Sequence, residues 1–303
     1  MSLQRLTRVL SGRTFLAFAI VYLVWGSTYL AIRIGVHDAP AILFAGMRFA
    51  LAAPLMLAYA FWRGARLPTS RRDWLVIAVT SLLMLVGANG MVTWAEQWVQ
   101  SNQAALIVAT SALWMAGFGT LGGSGEALSR WTLAGLLVGF LGVAVLVGDG
   151  LHAEAAPLTA YALLIVSPIL WAGGSVFARR YPVNCAPLMT AALQILIAGI
   201  VQTALGLALG EQTQWQWTPG VIGALLYLAV FGSCIAFGAY FWLVHEVKPA
   251  QLATYAYVNP AVAVLLGWLI LDERLSAMQL AGTFIILLSV IAVTLASRRQ
   301  SGR

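Results

Sequence analysis

Phe15-Leu16-Ala17-Phe18-Ala19-Ile20-Val21-Tyr22-Leu23-Val24-Trp25-Gly26-Ser27-Thr28-Tyr29-Leu30-Ala31-Ile32 runs without a charge between Arg13 and Arg33. An α-helix needs about 20 apolar residues to cross the roughly 30 Å hydrocarbon core of a bilayer, and the segment 14–35 supplies them. The same pattern recurs at 40–62, 74–95, 101–121, 131–149, 157–178, 187–209, 219–242, 250–271 and 277–297, so ten spans are expected. Turn and charge signals separate them, as in Arg63-Gly64-Ala65-Arg66-Leu67-Pro68 and Arg179-Arg180-Tyr181-Pro182. The runs are continuous. Barrel strands would alternate with period two, so the spans are read as helices.

Composition agrees. Of 303 residues, 61% are hydrophobic and 9% charged, against about 25% charged in soluble domains. So little polar surface cannot cover a soluble globule, and disorder needs the opposite balance. The net charge of +7 is spread in short clusters between apolar runs, not gathered on one solvated face, which argues against nucleic acid. Cys185 and Cys234 are too few for a disulfide framework and are expected as free thiols. Arg5, Arg8 and Arg13 resemble a signal-peptide n-region, but the apolar run after them is too long and lacks a small-residue cleavage site. The first span is therefore expected to be retained.

Basic residues set the orientation. With a cytoplasmic N-terminus, the inner segments hold Arg5, Arg8, Arg13, Arg63, Arg66, Arg71, Arg72, Arg130, Arg179, Arg180, Lys248, Arg298, Arg299 and Arg303. The outer segments hold only Arg33 and Arg274, and Arg48 lies within a span. Both termini are thus expected in the cytoplasm of a bacterial inner membrane.

The chain also repeats itself. At an offset of 146, Trp25 falls on Trp171, Arg33 on Arg179 and Trp94 on Tyr240; at 147, Leu133-Ala134-Gly135 falls on Leu280-Ala281-Gly282. Each half holds five spans, an odd number, so the halves enter the membrane in opposite senses. Inverted repeats are a transporter architecture with the site near the midplane. The expected fold is an all-α membrane protein of ten transmembrane helices, two inverted five-helix repeats around a central cavity. The expected organisation is a tail at 1–13, a first repeat at 14–149, a second at 157–297 and a tail at 298–303.

Val24-Trp25-Gly26-Ser27-Thr28-Tyr29, Met47-Arg48-Phe49, and the segment from Lys248-Pro249-Ala250 through Asn259-Pro260 to Leu271-Asp272-Glu273-Arg274-Leu275 resemble the drug/metabolite transporter superfamily, EamA type. The resemblance covers nearly the whole chain and is strongest to bacterial amino-acid and metabolite exporters of the YddG kind. It implies a ten-helix bundle exporting small metabolites, its cavity lined mainly by spans 1, 3, 4, 6, 8 and 9. One departure stands out: the family often carries a proline midway along the fourth span, where this chain has Ser111-Ala112-Leu113-Trp114. A proline hinge is therefore expected in the second half alone.

Arg48 is the one charge deep in a span, and such a charge needs partners. Its repeat-mate is Gln194. The two are expected either to tie helices through backbone carbonyls or to meet a substrate carboxylate. Among the aromatics, Trp62, Trp74, Trp98, Trp131, Trp215 and Trp217 sit at span ends as an interfacial belt. Trp25, Trp114 and Trp171 lie deeper, and Trp94, Tyr240, Trp242, Tyr255 and Tyr257 flank the pathway spans. Such rings can pack helices, or clamp a flat apolar substrate. Ser27, Asn89, Ser175 and Asn259 are the candidate polar substrate contacts, with Thr28, Thr93, Ser111, Ser233 and Thr254 as further midspan polar residues. Pro168 and Pro260 are candidate hinges, because a proline removes a backbone donor and frees a carbonyl. Gly135 and Gly139 form a small-residue face for close helix packing. Glu96, at the end of the third span, is read as a solvated loop acid or a gate.

Enzyme chemistry lacks its parts: His37, His152 and His245 lie at span ends without a partner one turn away, and Gly148-Asp149-Gly150 has no second membrane acid. No catalytic residue, metal site or cofactor is expected. A channel or sensor module is the rival from another class. No span interior contains Asp or Glu, so a lone cation finds no counter-charge, whereas a zwitterion or neutral metabolite finds hydroxyls, amides and ring faces. The expected cargo is neutral amino acids, aromatic and larger apolar ones first, moved by alternating access. With no acid inside a span, facilitated uniport is expected, and the alternative is a proton-coupled exporter of hydrophobic drugs. The expected partners are a small-molecule substrate and membrane lipid, with a monomer as the working unit.

Overall fold

The computed structural model describes residues 12–118, 130–152, 156–247 and 255–300. Residues 1–11 and 301–303 of the expected tails, and Lys248 and Thr254 at the start of the expected ninth span, lie outside the described residues. So do the side chains of Trp131, His245 and Tyr257.

Every described element is helical. The chain runs α1 (Gly12–Asp38), α2 (Ala41–Trp62), α3 (Arg71–Ala95), α4 (Ser101–Val108), α5 (Ser111–Phe118), α6 (Arg130–His152) and α7 (Leu158–Arg180). It continues through α8 (Pro187–Ala208), α9 (219–246), α10 (Tyr255–Leu271) and α11 (Ala277–Gln300). Among the described residues, α1, α2, α3, α7, α8 and α9 contain segments long and apolar enough to cross a membrane. Large apolar side chains face outward at many positions, such as Phe15, Leu55 and Leu205. Trp62 and Trp217, two of the rings read as interfacial, are well exposed. Trp215 is half-buried and packs on Phe44 at 6.3 Å and on Trp217 at 5.1 Å.

Packing joins distant parts of the sequence. The most extensive pairings are α2 with α8 and α6 with α11, followed by α1 with α10 and α9, and α7 with α3, α4 and α5. Each crosses from residues before 153 to residues after 155. The α2–α8 crossing depends on missing side chains. A Cβ at Gly199 would lie 2.7 Å from the Ala50 nitrogen, and one at Gly206 2.8 Å from the Leu43 nitrogen. Between α6 and α11, Ser289 donates to the Gly135 carbonyl at 2.6 Å, so this face serves helix packing as expected.

Two helices carry π-helical stretches, Leu82–Asn89 in α3 and Leu228–Ile235 in α9. Their bounds differ by 146 residues at both ends, the offset seen in the sequence. A π stretch leaves carbonyls outside the regular α pattern. Gln202 Nε2 donates to the Leu85 and Val86 carbonyls in one, and Trp25 Nε1 to the Gly232 carbonyl in the other.

Neither candidate hinge proline interrupts its helix in this structure. Helices α7 and α10 continue through the buried Pro168 and Pro260. The break comes instead at Ala109–Thr110, between α4 and α5, where no proline stands. Thr110 turns the chain: its amide and its hydroxyl both donate to the Ile107 carbonyl, at 3.1 and 2.6 Å. A local hydroxyl bond of this kind competes with the helical ladder.

Cross-links define two ends of the bundle. At one, the segments 63–72 and 181–187 meet: Cys185 Sγ lies 3.5 Å from the Arg66 carbonyl, and Ala65, Val183 and Cys185 pack on one cluster. This end carries Arg63, Arg66, Arg71, Arg72, Arg179 and Arg180. At the opposite end, Thr218 donates to Asp38 at 2.9 Å, and the Glu211 carboxylate accepts from the Leu43 amide at 2.6 Å. Here too Glu273, 6% exposed, closes the start of α4. Its carboxylate accepts from the Ser101 amide (2.8 Å), the Ser101 hydroxyl (2.8 Å) and the Asn102 amide (3.2 Å). Asp272 beside it takes a left-handed backbone, φ 50°.

Candidate functional site

A cavity of about 90 Å³ lies at the centre of the bundle. Helix α1 contributes Trp25, Thr28, Tyr29 and Ile32, α2 contributes Arg48, and α3 contributes Leu85, Ala88, Asn89 and Val92. Val108 and Ser111 border the break between α4 and α5, and Ser167 and Trp171 come from α7. Phe237 of α9 and Tyr255 and Asn259 of α10 complete the wall. No acid is among these residues. Small-molecule sites share the character of this lining, mostly apolar with a few placed polar groups.

Trp25 organises the aromatic side. Its ring centroid lies 4.9 Å from Tyr240, 5.2 Å from Phe237, 5.6 Å from Tyr255 and 6.4 Å from Trp171, mostly edge-on. Its Nε1 bond to Gly232 fixes the indole at 3.2 Å. Such pairs add about 0.5–1.5 kcal/mol each beyond area.

Arg48, 3% exposed, forms the polar side. Its Nε donates to Ser233 Oγ at 3.0 Å, and its Nη1 has no partner. The π stretch of α9 makes room for it: a Cβ at Gly232 would stand 3.2 Å from Nη2 and 3.1 Å from Thr28 Cγ2. Two more unpartnered polar atoms face the same space, the Oδ1 atoms of Asn89 and Asn259. Among the described residues the ion pairs are His37–Asp38 and Arg274–Asp272, so no carboxylate lies within 4 Å of Arg48.

Of the residues expected from sequence, Trp25, Thr28, Arg48, Asn89, Ser111, Trp171, Tyr255 and Asn259 line this cavity. The others are engaged elsewhere. Tyr240 backs the wall through Trp25 and Tyr255. Ser27 meets the Tyr227 hydroxyl at 2.6 Å, and Ser175 donates to the Trp171 carbonyl of its own helix. Trp94 packs on Trp98 at 4.5 Å, and Trp114 on Phe140 at 4.9 Å. Gln194 does not act with Arg48; its Nε2 donates to Thr80 Oγ1 at 2.7 Å. Nor does Arg48 bind a backbone carbonyl through Nε, which a hydroxyl occupies. Tyr29, Ser167 and Phe237 line the cavity without having been singled out. The sequence signal available for Phe237 was its spacing three residues before Tyr240.

Glu96, just past the end of α3, is not a solvated acid: it is fully buried, and neither carboxylate oxygen has a hydrogen-bond partner. Its carbonyl accepts from Arg33 Nη1. Burial pushes its carboxyl well above the usual carboxylate range, Glu273 adds to that, and Arg33 and Arg48 oppose it. A second, wider depression of about 510 Å³ includes Arg33, Ile34, Asp38 and Glu273 in its wall. Helix α1 gives Tyr29 and Ile32 to the cavity and Arg33 and Ile34 to the depression, so the two spaces adjoin along it.

Known proteins place this arrangement. The sequence model of the EamA-like transporter family matches residues 13–148 and again 158–295. The chain is 40% identical to the uncharacterized inner membrane transporter YedA of Escherichia coli K12 over 284 residues, 93% of this chain and 90% of that protein. It is 26% identical to a probable amino-acid metabolite efflux pump of Salmonella typhimurium over 282 residues, 90% of this chain and 91% of that one. A solved crystal structure, 20% identical with a TM-score of 0.67, covers 95% of this chain and 98% of its own, and shares the fold. A family match on both halves of the chain and a 40% identical transporter along nearly all of it lead to one conclusion: this protein belongs to the EamA-like transporter family.

Proposed function

We propose that this transporter exports small metabolites from the bacterial cytoplasm, foremost neutral amino acids with aromatic or large apolar side chains, by alternating access through the central cavity. One observation carries the reading: the cavity is walled by rings from both halves of the chain, Trp25 and Tyr29 with Trp171, Phe237 and Tyr255, and no acid is among its lining residues. A flat apolar body can lie against those rings, and a lone cation finds no counter-charge there. The Salmonella relative named as an amino-acid metabolite efflux pump lends support.

The architecture behind this function is ten transmembrane helices in two inverted repeats, 14–149 and 157–297, working as a monomer. Its supports are the double family match, the two π stretches 146 residues apart, and pairings that exchange like with like. The end carrying Arg63, Arg66, Arg71, Arg72, Arg179 and Arg180 faces the cytoplasm, with both termini, by the distribution of positive charge. The thin layer at Arg33 and Glu96 is then the outer gate. Transport is facilitated, because the one buried acid beside the cavity, Glu96, stands outside its lining.

The test is flux of labelled phenylalanine and leucine in proteoliposomes, with and without an imposed pH gradient. Saturable flux, reduced several-fold by Trp171→Ala, is expected. Absence of flux for every neutral amino acid overturns the cargo. Conductance without saturation favours a channel. Uphill accumulation driven by pH alone and abolished by Glu96→Gln replaces uniport with proton coupling, and hydrophobic drugs become the cargo to test.

A further inference from the structure

A guanidinium buried in a membrane-spanning helix is expensive to place and needs compensation. The compensation for Arg48 is partial, and the Phe49 ring, 4.9 Å from Cζ, supplies some of it. One hydroxyl, from Ser233, holds Nε, and no carboxylate lies within 4 Å among the described residues. Of its other two nitrogens, Nη1 is buried without a partner, and the residue forms part of the cavity wall. Glu96 does not fill the role, since its own carboxylate oxygens are also unpartnered. The wall thus holds one permanent positive charge, no negative charge, and a fixed N–H donor.

We propose that Arg48 is the carboxylate receptor of the cavity, so that the cargo is defined by a carboxylate beside a compact apolar body and not by an amino group. The guanidinium holds the carboxylate through Nη1, while Ser233 and the room left at Gly232 fix its orientation. The apolar body lies against Trp25, Trp171, Phe237 and Tyr255. An α-ammonium group gains a secondary contact, because the Oδ1 atoms of Asn89 and Asn259 can accept from it, but it meets no counter-ion and sits near a like charge. Aromatic monocarboxylates lacking the amine therefore belong to the same substrate class, and aromatic amines lacking the carboxylate do not. The inference rests on the cavity being the transport site and widens the cargo beyond amino acids.

A matched set of four ligands tests it on the purified transporter by calorimetry at pH 8: phenylalanine, 3-phenylpropionate, phenylalaninamide and phenethylamine. A hydrogen bond to a charged group is worth about a ten- to hundredfold change in affinity. Phenylalanine and 3-phenylpropionate should bind within about tenfold of each other, the amino group contributing at most one neutral-acceptor bond. The other two should bind at least about tenfold more weakly. Arg48→Gln should remove the preference for carboxylates, and Arg48→Lys, which keeps the charge but not the fork, should retain part of it. Thermal unfolding reports whether each variant folds, and the wild-type panel decides the matter if Arg48→Gln does not. Phenethylamine or phenylalaninamide binding as tightly as phenylalanine overturns the proposal, as does absence of 3-phenylpropionate binding. The two readings fail separately. Binding of 3-phenylpropionate by a protein that carries no amino acid keeps Arg48 as receptor and sinks the amino-acid cargo. Flux of phenylalanine and phenethylamine at equal rates keeps export and sinks the receptor.

Discussion

Glu273→Gln probes the joint that closes the start of α4. The carboxylate accepts three hydrogen bonds within 3.2 Å, two of them from backbone amides in the first turn of an eight-residue helix. Bonds to a charged acceptor contribute about 1.5–3 kcal/mol each, and an anion at a helix N-terminus adds about 0.3–1 kcal/mol. The site is 6% exposed, so water does little to replace them. Glutamine keeps one acceptor oxygen and turns an amide N–H₂ toward another donor. Losing two of the three bonds sets a ceiling of about 3–6 kcal/mol. Bonds to one group are not additive and the loop can relax, so we expect a destabilisation of about 2–4 kcal/mol. Reversible unfolding in mixed micelles by titration with a denaturing detergent measures it. A double-mutant cycle with Ser101→Ala isolates the hydroxyl contact, for which about 1 kcal/mol of coupling is expected. A Glu273→Gln variant within about 0.5 kcal/mol of wild type, with Ser101→Ala additive to it, refutes the reasoning.

Two further outcomes are expected. With Cys234 replaced, Cys185 should resist a membrane-impermeant maleimide in intact cells and react in inside-out vesicles; burial pushes its thiol up, so labelling accelerates as pH rises above 8, and strong labelling from outside reverses the orientation. For Glu96 the native state favours the protonated form, so stability is full below the usual glutamate range and falls as pH rises toward the elevated native value. Glu96→Gln does not titrate. Its unfolding free energy relative to wild type should therefore rise between pH 4.5 and 8 by up to about 1.4 kcal/mol per pH unit, and a difference independent of pH contradicts the burial.

The membrane class was legible because charge-free runs of bilayer length have no other common use. The 146-residue offset was equally legible, although the π stretches that repeat it had no signal of their own. Arg48 stood out because its type and depth conflict, yet its partner did not: Ser233 lies 185 residues away and is one hydroxyl among many. Depth along a helix can be counted from its ends, but direction around it cannot. Lipid and protein core are both apolar, so a span carries little amphipathic signal to separate them. That is why Trp114, at the right depth, packs on Phe140, while Phe237 lines the cavity. Glu96 misled for a related reason. Position at a span end implies water only if nothing folds over it, and the Arg33 contact shows that something does. The fourth span's break at Thr110 lacked its usual proline marker altogether.

The pairing of α2 with α8, α6 with α11, and α1 with α9 and α10 has a consequence for how the protein is made. A ribosome delivers the chain from its N-terminus, so α1 to α6 are made before their principal neighbours exist. During that interval Arg48 has no Ser233 to bind, the Ala50 backbone has no Gly199 to press against, and the α4 amides have no Glu273. The nascent first half can therefore insert but cannot consolidate. It must remain separable, sheltered by the insertion machinery or dispersed among lipids, until α11 closes the last contacts. Severing the chain near residue 154 and supplying both pieces in one membrane should yield active protein, whereas either piece alone should be cleared by proteolysis.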